Sequence, residues 1–326
     1  FFFKQKTAYY IGVRLVGSEM CIRDSFYAAG QQWAYVEPKE MEIQQVSEQR
    51  NYLRDYIVVF YSALNQPDFT HPQTGQHYTE LVDLDSLVDH YLLNELMLNV
   101  DALRLSAYWH KPREGKLIAG PIWDFDRSAE SATDHRDNHP TTWYDNTEVI
   151  PSVWRSFFRD LEYRQRFIDR WTELRRGAFS DDNIAATIDR LAAELGNDNP
   201  SSGEPNAVTR NFTRWIGTPP RHSGGYDTGE LNGSWKGEVA HQKAWLVERT
   251  AWLDSMFLET PIIDPVGGAI TVPASATITG PAGGTIYYTL DGTDPRLPGG
   301  AISPLSLIHI SEPTRRTPIS YAVVWL

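Results

Sequence analysis

The chain has 326 residues, 30 Lys and Arg against 42 Asp and Glu, a formal net charge of −12 and a single cysteine, Cys21. An acidic chain with its basic residues scattered among carboxylates lacks the basic surface that holds nucleic acid, so nucleic acid is set aside as a partner. One cysteine excludes a disulfide framework and a thiolate metal cluster, and no apolar run approaches the roughly 20 residues of a membrane-spanning helix, so a soluble chain without a membrane span is expected.

The two ends read unlike the middle. LSLIHI (residues 305–310) is the translation of CTG TCT CTT ATA CAC ATC, and MCIRDS (residues 20–25) translates the reverse complement of the same DNA in a shifted frame. The flanking runs KQKTAY, LVGSE, SEPTR and ISYAV resemble the remainder of a sequencing-library adapter. Residues 1–25 and 305–326 are therefore expected to be adapter-derived and foreign to the fold. Setting aside their six basic and three acidic residues leaves 24 against 39, a net charge of −15, and no cysteine.

In chain order, the apolar positions Leu53, Tyr56, Ile57, Phe60 and Leu64 predict an amphipathic helix over 46–64. After a loop rich in Pro, His, Thr and Gly (residues 65–79), Asp83 is placed to cap a second helix with the stripe Leu84, Val88, Tyr91, Glu95, Leu98. Glu95 interrupts an apolar face, so it either positions the loop that follows or is held by a basic side chain or a backbone N–H. SAYWHK and KLIAGPIW predict a strand pair joined by a turn at residues 112–115, with Asp124 at its end. Aromatic residues from Trp154 to Leu174 predict helix in one or two pieces, Ile184 to Leu195 another, and Val239 to Phe257 a last one ended by Pro261. Loops rich in Gly, Pro, Ser and Asn separate these helices at 196–205 and 217–234, and most tryptophans fall on helical stripes as core. Beyond Pro261 the composition turns to Gly, Pro, Thr and β-branched residues, a domain boundary, and TIYYTL before Asp291-Gly292 predicts a strand entering a tight hairpin.

Two carboxylates stand out. Asp101 in NVDALRLS and Asp124 in GPIWDFDRS, 23 positions apart, suit phosphoryl transfer. One carboxylate orients or deprotonates an attacking hydroxyl; the other holds the cation that neutralises the phosphates. Asp126 is a candidate second metal ligand. Paired carboxylates also serve glycoside hydrolysis, and the plainer alternative is that Asp101 caps a turn while Asp124, between Trp123 and Phe125 in an apolar setting, pairs with Arg104 or Arg127. DHRDNH (residues 134–139) has metal-capable side chains without ligand spacing and reads as a polar loop.

The runs DLDSLVDHYLLNELMLNVDALRLSAYW (residues 83–109) and GKLIAGPIWDFD (residues 115–126), and more loosely RFIDRWTELRRG (residues 166–177), resemble the CotH kinase family, whose members share a distant protein-kinase-like fold. The resemblance runs from about residue 26 to 258. It implies Asp101 as the catalytic aspartate that engages the acceptor hydroxyl, and Asp124, with Asp126 beside it, as the metal-binding position. Glu95, Asn99 and Trp123 are expected to support them. ATP and Mg²⁺ are the implied cofactors, and a Ser or Thr of a protein substrate is the implied acceptor. Ser106 stands where ordinary kinases place a metal-binding asparagine. The part of the family that grips nucleotide is expected upstream of Phe26, so the chain alone is expected to be inactive.

GGTIYYTLDGTDPR (residues 283–296) resembles the start of the β-sandwich at the C-terminus of chitobiases and β-hexosaminidases, which implies a bacterial exported or cell-surface protein. Tyr287 and Tyr288 are read there as packing. The expected architecture is α+β: a mostly helical kinase-like C-terminal lobe over 26–260 with a small β-hairpin at its site, then a truncated all-β module over 261–304. The competing expectation is a noncatalytic surface or adhesion protein that uses the same fold to bind a cell-surface polymer or polysaccharide.

Overall fold

A computed structural model describes residues 2–6, 25–37, 47–132, 134–146, 152–196, 204–214, 234–265, 275–281, 284–298, 300–309 and 321–325. The chain divides into two compact units, Phe1–Thr250 and Ala251–Leu326, and mixes helix with strand as an α+β protein.

The first unit carries an antiparallel five-stranded sheet. Its strands are β1 (Phe2–Lys6), β2 (Ser25–Ala28), β3 (Gln31–Glu37), β4 (Tyr108–His110) and β5 (Ile118–Ala119), in the spatial order β2-β3-β1-β4-β5. Between β2 and β3 the two turn residues Ala29 and Gly30 have φ of 51° and 74°, the backbone of a type I′ hairpin turn, whose twist matches the flanking strands. Phe26 and Ala28 are buried and Tyr27 is exposed, the alternation of a strand with one face on a core. The sequence pattern raised no strand before residue 46. One of these strands, β1, lies in the stretch that reads as adapter and sits between β3 and β4.

The helix expected over 46–64 is α1 (Ser47–Leu64), and its stripe Leu53, Ile57, Phe60 and Leu64 is fully buried. A single turn, α2 (Tyr78–Leu81), is closed by a capping box between His77 and Glu80. Helix α3 (Leu84–Met97) starts where Asp83 accepts from the Ser86 amide at 2.8 Å. The aromatic stretch after residue 150 is two helices, α4 (Ser152–Phe157) and α5 (Leu161–Arg175), separated because Asp160 caps the second through the Glu162 amide at 2.9 Å. Helices α6 (Asp181–Leu195), α7 (Ala207–Arg214) and α8 (Trp235–Ser255) follow. The stripe of α6 departs from expectation: none of its residues is buried, and Leu191 and Leu195 are exposed. Most of the loop expected at 217–234 lies outside the described residues.

Aromatic rings link the sheet to the helices. Trp33 on β3 meets Trp109 on β4 edge-on at 6.3 Å, Trp109 lies 5.1 Å from Trp154 on α4, and Trp154 meets Phe157 at 6.0 Å. All four side chains have no exposed surface. Such pairs contribute about 1 kcal/mol beyond their burial, so the chain of rings fixes β4, and the segment leading into it, between β3 and α4. Against the expectation that tryptophans are core, Trp123 is 57% exposed, edge-on to Tyr108 at 6.2 Å.

The second unit contains a two-stranded antiparallel pair, β6 (Ile262–Asp264) with β7 (Thr277–Thr279), and β8 (Thr285–Thr289) flanked by β9 (Leu307–His309) and β10 (Tyr321–Trp325). The run TIYYT does form a strand, and Gly292 takes φ of 82° just after Asp291, whose carboxylate accepts from the Thr293 amide at 3.0 Å. That turn does not return directly into a paired strand as a tight hairpin would. Both partners of β8 lie past residue 305, because Asp294, Pro295 and Arg296 carry the chain into a further turn closed by the Arg296–Ile302 bridge. Tyr287 and Tyr288 are half-buried.

Candidate functional site

Helix α3 ends where Leu98 adopts a left-handed backbone, φ 47°, and donates its amide to Glu95 and Asn94, while the Asn99 amide returns to the Asn94 carbonyl at 3.1 Å. A left-handed leucine is strained. Complete burial of Leu98 and Val100 offsets that cost and drives the reversal that turns the chain outward at Asp101. The loop is then fixed from several sides. The Asp101 carbonyl accepts from Leu105 and Ser106 at 2.8 and 2.9 Å, the Tyr144 hydroxyl donates to the Val100 carbonyl at 3.1 Å, and the Trp154 indole donates to the Leu103 carbonyl at 3.0 Å.

The segment after β5 runs beside this loop. Val100 donates to the Arg127 carbonyl at 3.2 Å, Ala129 donates to the Met97 carbonyl at 2.8 Å, and the Asn99 side chain donates to the Asp124 carbonyl at 3.1 Å. Asn99 has no exposed surface, and its Oδ1 accepts no hydrogen bond. Asp124 itself is left-handed, φ 67°, and Ala129, Glu130 and His135 follow with φ of 50°, 72° and 64°. Strained backbone of this kind concentrates where a surrounding scaffold over-determines it. Here Asn99 and the Val100–Arg127 bond are part of that scaffold.

The Asp124 side chain is exposed, which corrects the expected apolar setting: the turn throws both Trp123 and Asp124 outward. Its Oδ2 accepts from the Ser106 hydroxyl at 3.2 Å. The residue at the expected asparagine position thus touches the expected metal-binding aspartate. The Asp126 carboxyl is hydrogen-bonded to Asp124, and desolvation together with that neighbouring negative charge pushes it above the usual carboxylate range. Asp101, Asp124, Asp126, Asn99 and Ser106 therefore lie on two laced loops, with Trp123 at the rim.

Among the described residues neither expected arginine, Arg104 or Arg127, bonds the Asp124 side chain, and Arg127 goes to Asp101. Arg127 Nη1 bonds Asp101 Oδ2 at 3.0 Å, and its Nη2 bonds Asp134. Arg136 bonds Asp134 through Nε at 3.0 Å and Nη2 at 2.9 Å, and that Nη2 stands 3.6 Å from Asp101 Oδ1. Two carboxylates and two guanidinium groups thus close a ring at the mouth of the site. Although partial burial alone would raise Asp134, the hydrogen bonds from Arg136 and Arg127 hold its carboxyl down at about 2. The loop 134–139 is accordingly an ionic strap, with Asp137 buried beneath it and accepting from the Ala132 amide at 3.0 Å. Among the described residues no group of three or more His, Cys, Asp or Glu is placed to hold a metal ion. Arg136 and Asp134 went unread as site residues. The signal was their place in a charged run ten residues past Asp124.

Glu95 proves to be held by a basic side chain from far along the sequence. Arg249 on α8 bonds Glu95 Oε1 at 2.7 Å and the Glu95 carbonyl at 2.6 Å, and also reaches the carbonyls of Pro140 and Thr142. Tyr144 donates its amide to the same Oε1 at 2.9 Å. Glu95 and Arg249 are both essentially inaccessible, and burial pushes the Glu95 carboxyl up while Arg249 keeps its charge. Glu95 does not touch Asp101. It anchors Tyr144, which in turn holds the Asp101 loop.

The site is thus two aspartate loops laced side by side, one beside a pair of arginines and the other beside a second carboxylate. The sequence model of the CotH kinase protein family matches residues 21–253, and the chain belongs to that family. No curated protein and no solved structure matches the chain.

Proposed function

We propose that this protein transfers a phosphoryl group from Mg-ATP to a Ser or Thr hydroxyl of a protein substrate, with Asp101 receiving the hydroxyl and Asp124, assisted by Asp126, at the metal. Membership of the kinase family supports the reaction class, and the lacing of the two aspartate loops through Asn99 and the Val100–Arg127 bond is the observation that carries it. The donor set fits a hard cation: Asp124 and Asp126 are adjacent, exposed carboxylates and Ser106 adds a hydroxyl, all oxygen. Mg²⁺ takes one or two protein carboxylates and completes its shell with water and phosphate, so three acidic protein ligands are not required. When bound, the cation would neutralise phosphate charge; the chain's own part is to aim Asp101 and exclude slack from its loop through Tyr144 and Trp154.

The resemblances of the remaining segments extend the proposal. The unit after Pro261 resembles a chitobiase-type module of an exported or surface protein of a bacterium, and the terminal stretches resemble adapter. A noncatalytic surface protein is the second reading. It is favoured by Asp101 Oδ1, which is buried without a hydrogen bond and faces Arg136.

Transfer of labelled phosphate from ATP in the presence of Mg²⁺ tests the first reading, with the protein expressed from its complete gene. Labelling is expected to fall at least about 10³-fold for Asp101→Ala and Asp124→Ala. Equal labelling by all three proteins contradicts it.

A further inference from the structure

We propose that Arg136 is a catalytic residue that leaves Asp101 to hold the transferred phosphoryl group, with Asp134 as its resting anchor. This rests on the phosphotransferase reading above. Of the two Asp101 oxygens, Oδ2 already accepts from Arg127 at 3.0 Å, which leaves Oδ1, with no hydrogen bond of its own, as the oxygen with full accepting capacity for an acceptor hydroxyl. That atom has no solvent access and no hydrogen bond, and the group beside it is Arg136 Nη2 at 3.6 Å, too long for a bond but close enough to close the space. A hydroxyl that takes Oδ1 enters as Arg136 withdraws, and what it brings is the natural destination for the guanidinium. A reacting hydroxyl sits about 3 Å from the phosphorus it attacks. The phosphoryl group is thus brought to the side of Asp101 that Arg136 occupies at rest.

The charge balance favours the exchange. Arg136 now spends two donors on Asp134, which is 43% exposed at the side chain. A phosphoryl group offers the same planar fork the same pair of anionic oxygens, with more charge, and guanidinium is the side chain built for that match. Arg127 remains on Asp101 and keeps it aimed. In the step itself the acceptor oxygen forms its bond to the γ-phosphorus and the hydroxyl proton passes to Asp101. The bond from phosphorus to the bridging oxygen breaks, and its electron pair leaves with the nucleoside diphosphate. In the loose transition state charge is spread over the three equatorial oxygens and the departing bridging oxygen, and a guanidinium placed only then lowers the barrier without tightening ground-state binding.

The experiment compares wild type, Arg136→Ala, Arg136→Lys and Asp101→Ala, each expressed from the complete gene and checked for an unchanged thermal midpoint, in phosphate transfer from Mg-ATP. Arg136→Ala is expected to lower kcat about 10³-fold with KM for ATP within a few fold, Arg136→Lys to recover a minor part, and millimolar guanidinium chloride to restore activity to the alanine variant. A kcat for Arg136→Ala within tenfold of wild type overturns the proposal, as does a loss that guanidinium does not restore, which would make Arg136 structural. Absence of transfer by wild type itself overturns the phosphotransferase reading and this proposal with it, whereas transfer by wild type that Asp101→Ala abolishes and Arg136→Ala spares overturns this proposal alone.

Discussion

The protein uses the same pair of chemical groups, a carboxylate and a guanidinium, in two regions with opposite consequences. Glu95 and Arg249 meet at 2.7 Å with side chains 1% and 0% exposed, and further donors of Arg249 go to backbone carbonyls. Asp101, Asp134, Arg127 and Arg136 form a ring of similar bonds with side chains 16 to 43% exposed. A buried pair is costly to break and cannot be exchanged for a ligand. A partly exposed ring contributes less to stability, because water and ions compensate the loss of its outermost member, Asp134, and for the same reason that partner can be exchanged. The difference separates the part of the charge network that holds the Asp101 loop from the part that can meet a substrate.

The sharpest way to break this contrast is to remove one partner from each region. Glu95→Ala leaves the Arg249 charge buried and unpaired and frees Tyr144, and is expected to destabilise the fold by about 3–5 kcal/mol in urea unfolding. A loss under 1 kcal/mol there would mean that water enters the site and that the two regions do not differ in kind.

A second comparison uses pH. His90 on α3 is buried against Trp154 at 5.5 Å, neither ring nitrogen has a hydrogen-bond partner, and burial lowers its pKa from 6.5 to about 4. Because the folded-state value is depressed, the unfolded chain binds the proton first. The stability tied to a neutral His90 is complete above pH 6.5 and is lost as pH falls towards about 4, about 3 kcal/mol in all. His90→Phe, which keeps a ring on Trp154, is expected to remove that slope from unfolding free energies measured between pH 7 and 4; an unchanged slope would show that His90 is not the group responsible. In the exposed ring the window lies lower. Asp134 titrates at about 2 instead of 3.8, so its contribution is present above pH 3.8 and lost only as pH falls through about 2.

The smallest effect is expected at that ring. Asp134→Ala should cost under about 1 kcal/mol of stability, and 1 M salt should erase most of the difference from wild type. A larger, salt-independent loss would place Asp134 with Glu95 among the structural carboxylates.

What could be read from the sequence followed the range of the interaction. The Asp83 cap, the α3 stripe and the β4–β5 pair depend on residues within a few positions of each other, and they lie where the pattern puts them. Glu95 announced itself as a carboxylate on an apolar face, yet its partner is 154 positions away and no local pattern names it. In the plainer expectation, Asp124 was paired with Arg104 or its near neighbour Arg127. The left-handed turn at Asp124 sends that side chain outward and leaves Arg127 facing Asp101, a result of backbone φ that composition does not encode. The α6 stripe has helical spacing but no buried residue, since periodicity reports amphipathicity and not what covers it. Strands β2 and β3 went unread because the four and seven strand residues on either side of Ala29-Gly30 carry little alternation of polar and apolar types.

The central claim is that Asp101 and Asp124 act on substrate while Glu95 and Arg249 only hold the lobe. Measuring phosphate transfer from Mg-ATP and the thermal midpoint together, for Asp101→Ala, Asp124→Ala and the milder Glu95→Gln, tests it most directly. The account predicts transfer lost with the midpoint unchanged for the two aspartates, and a lowered midpoint with transfer retained below it for Glu95→Gln. Transfer that survives in both aspartate variants would contradict it.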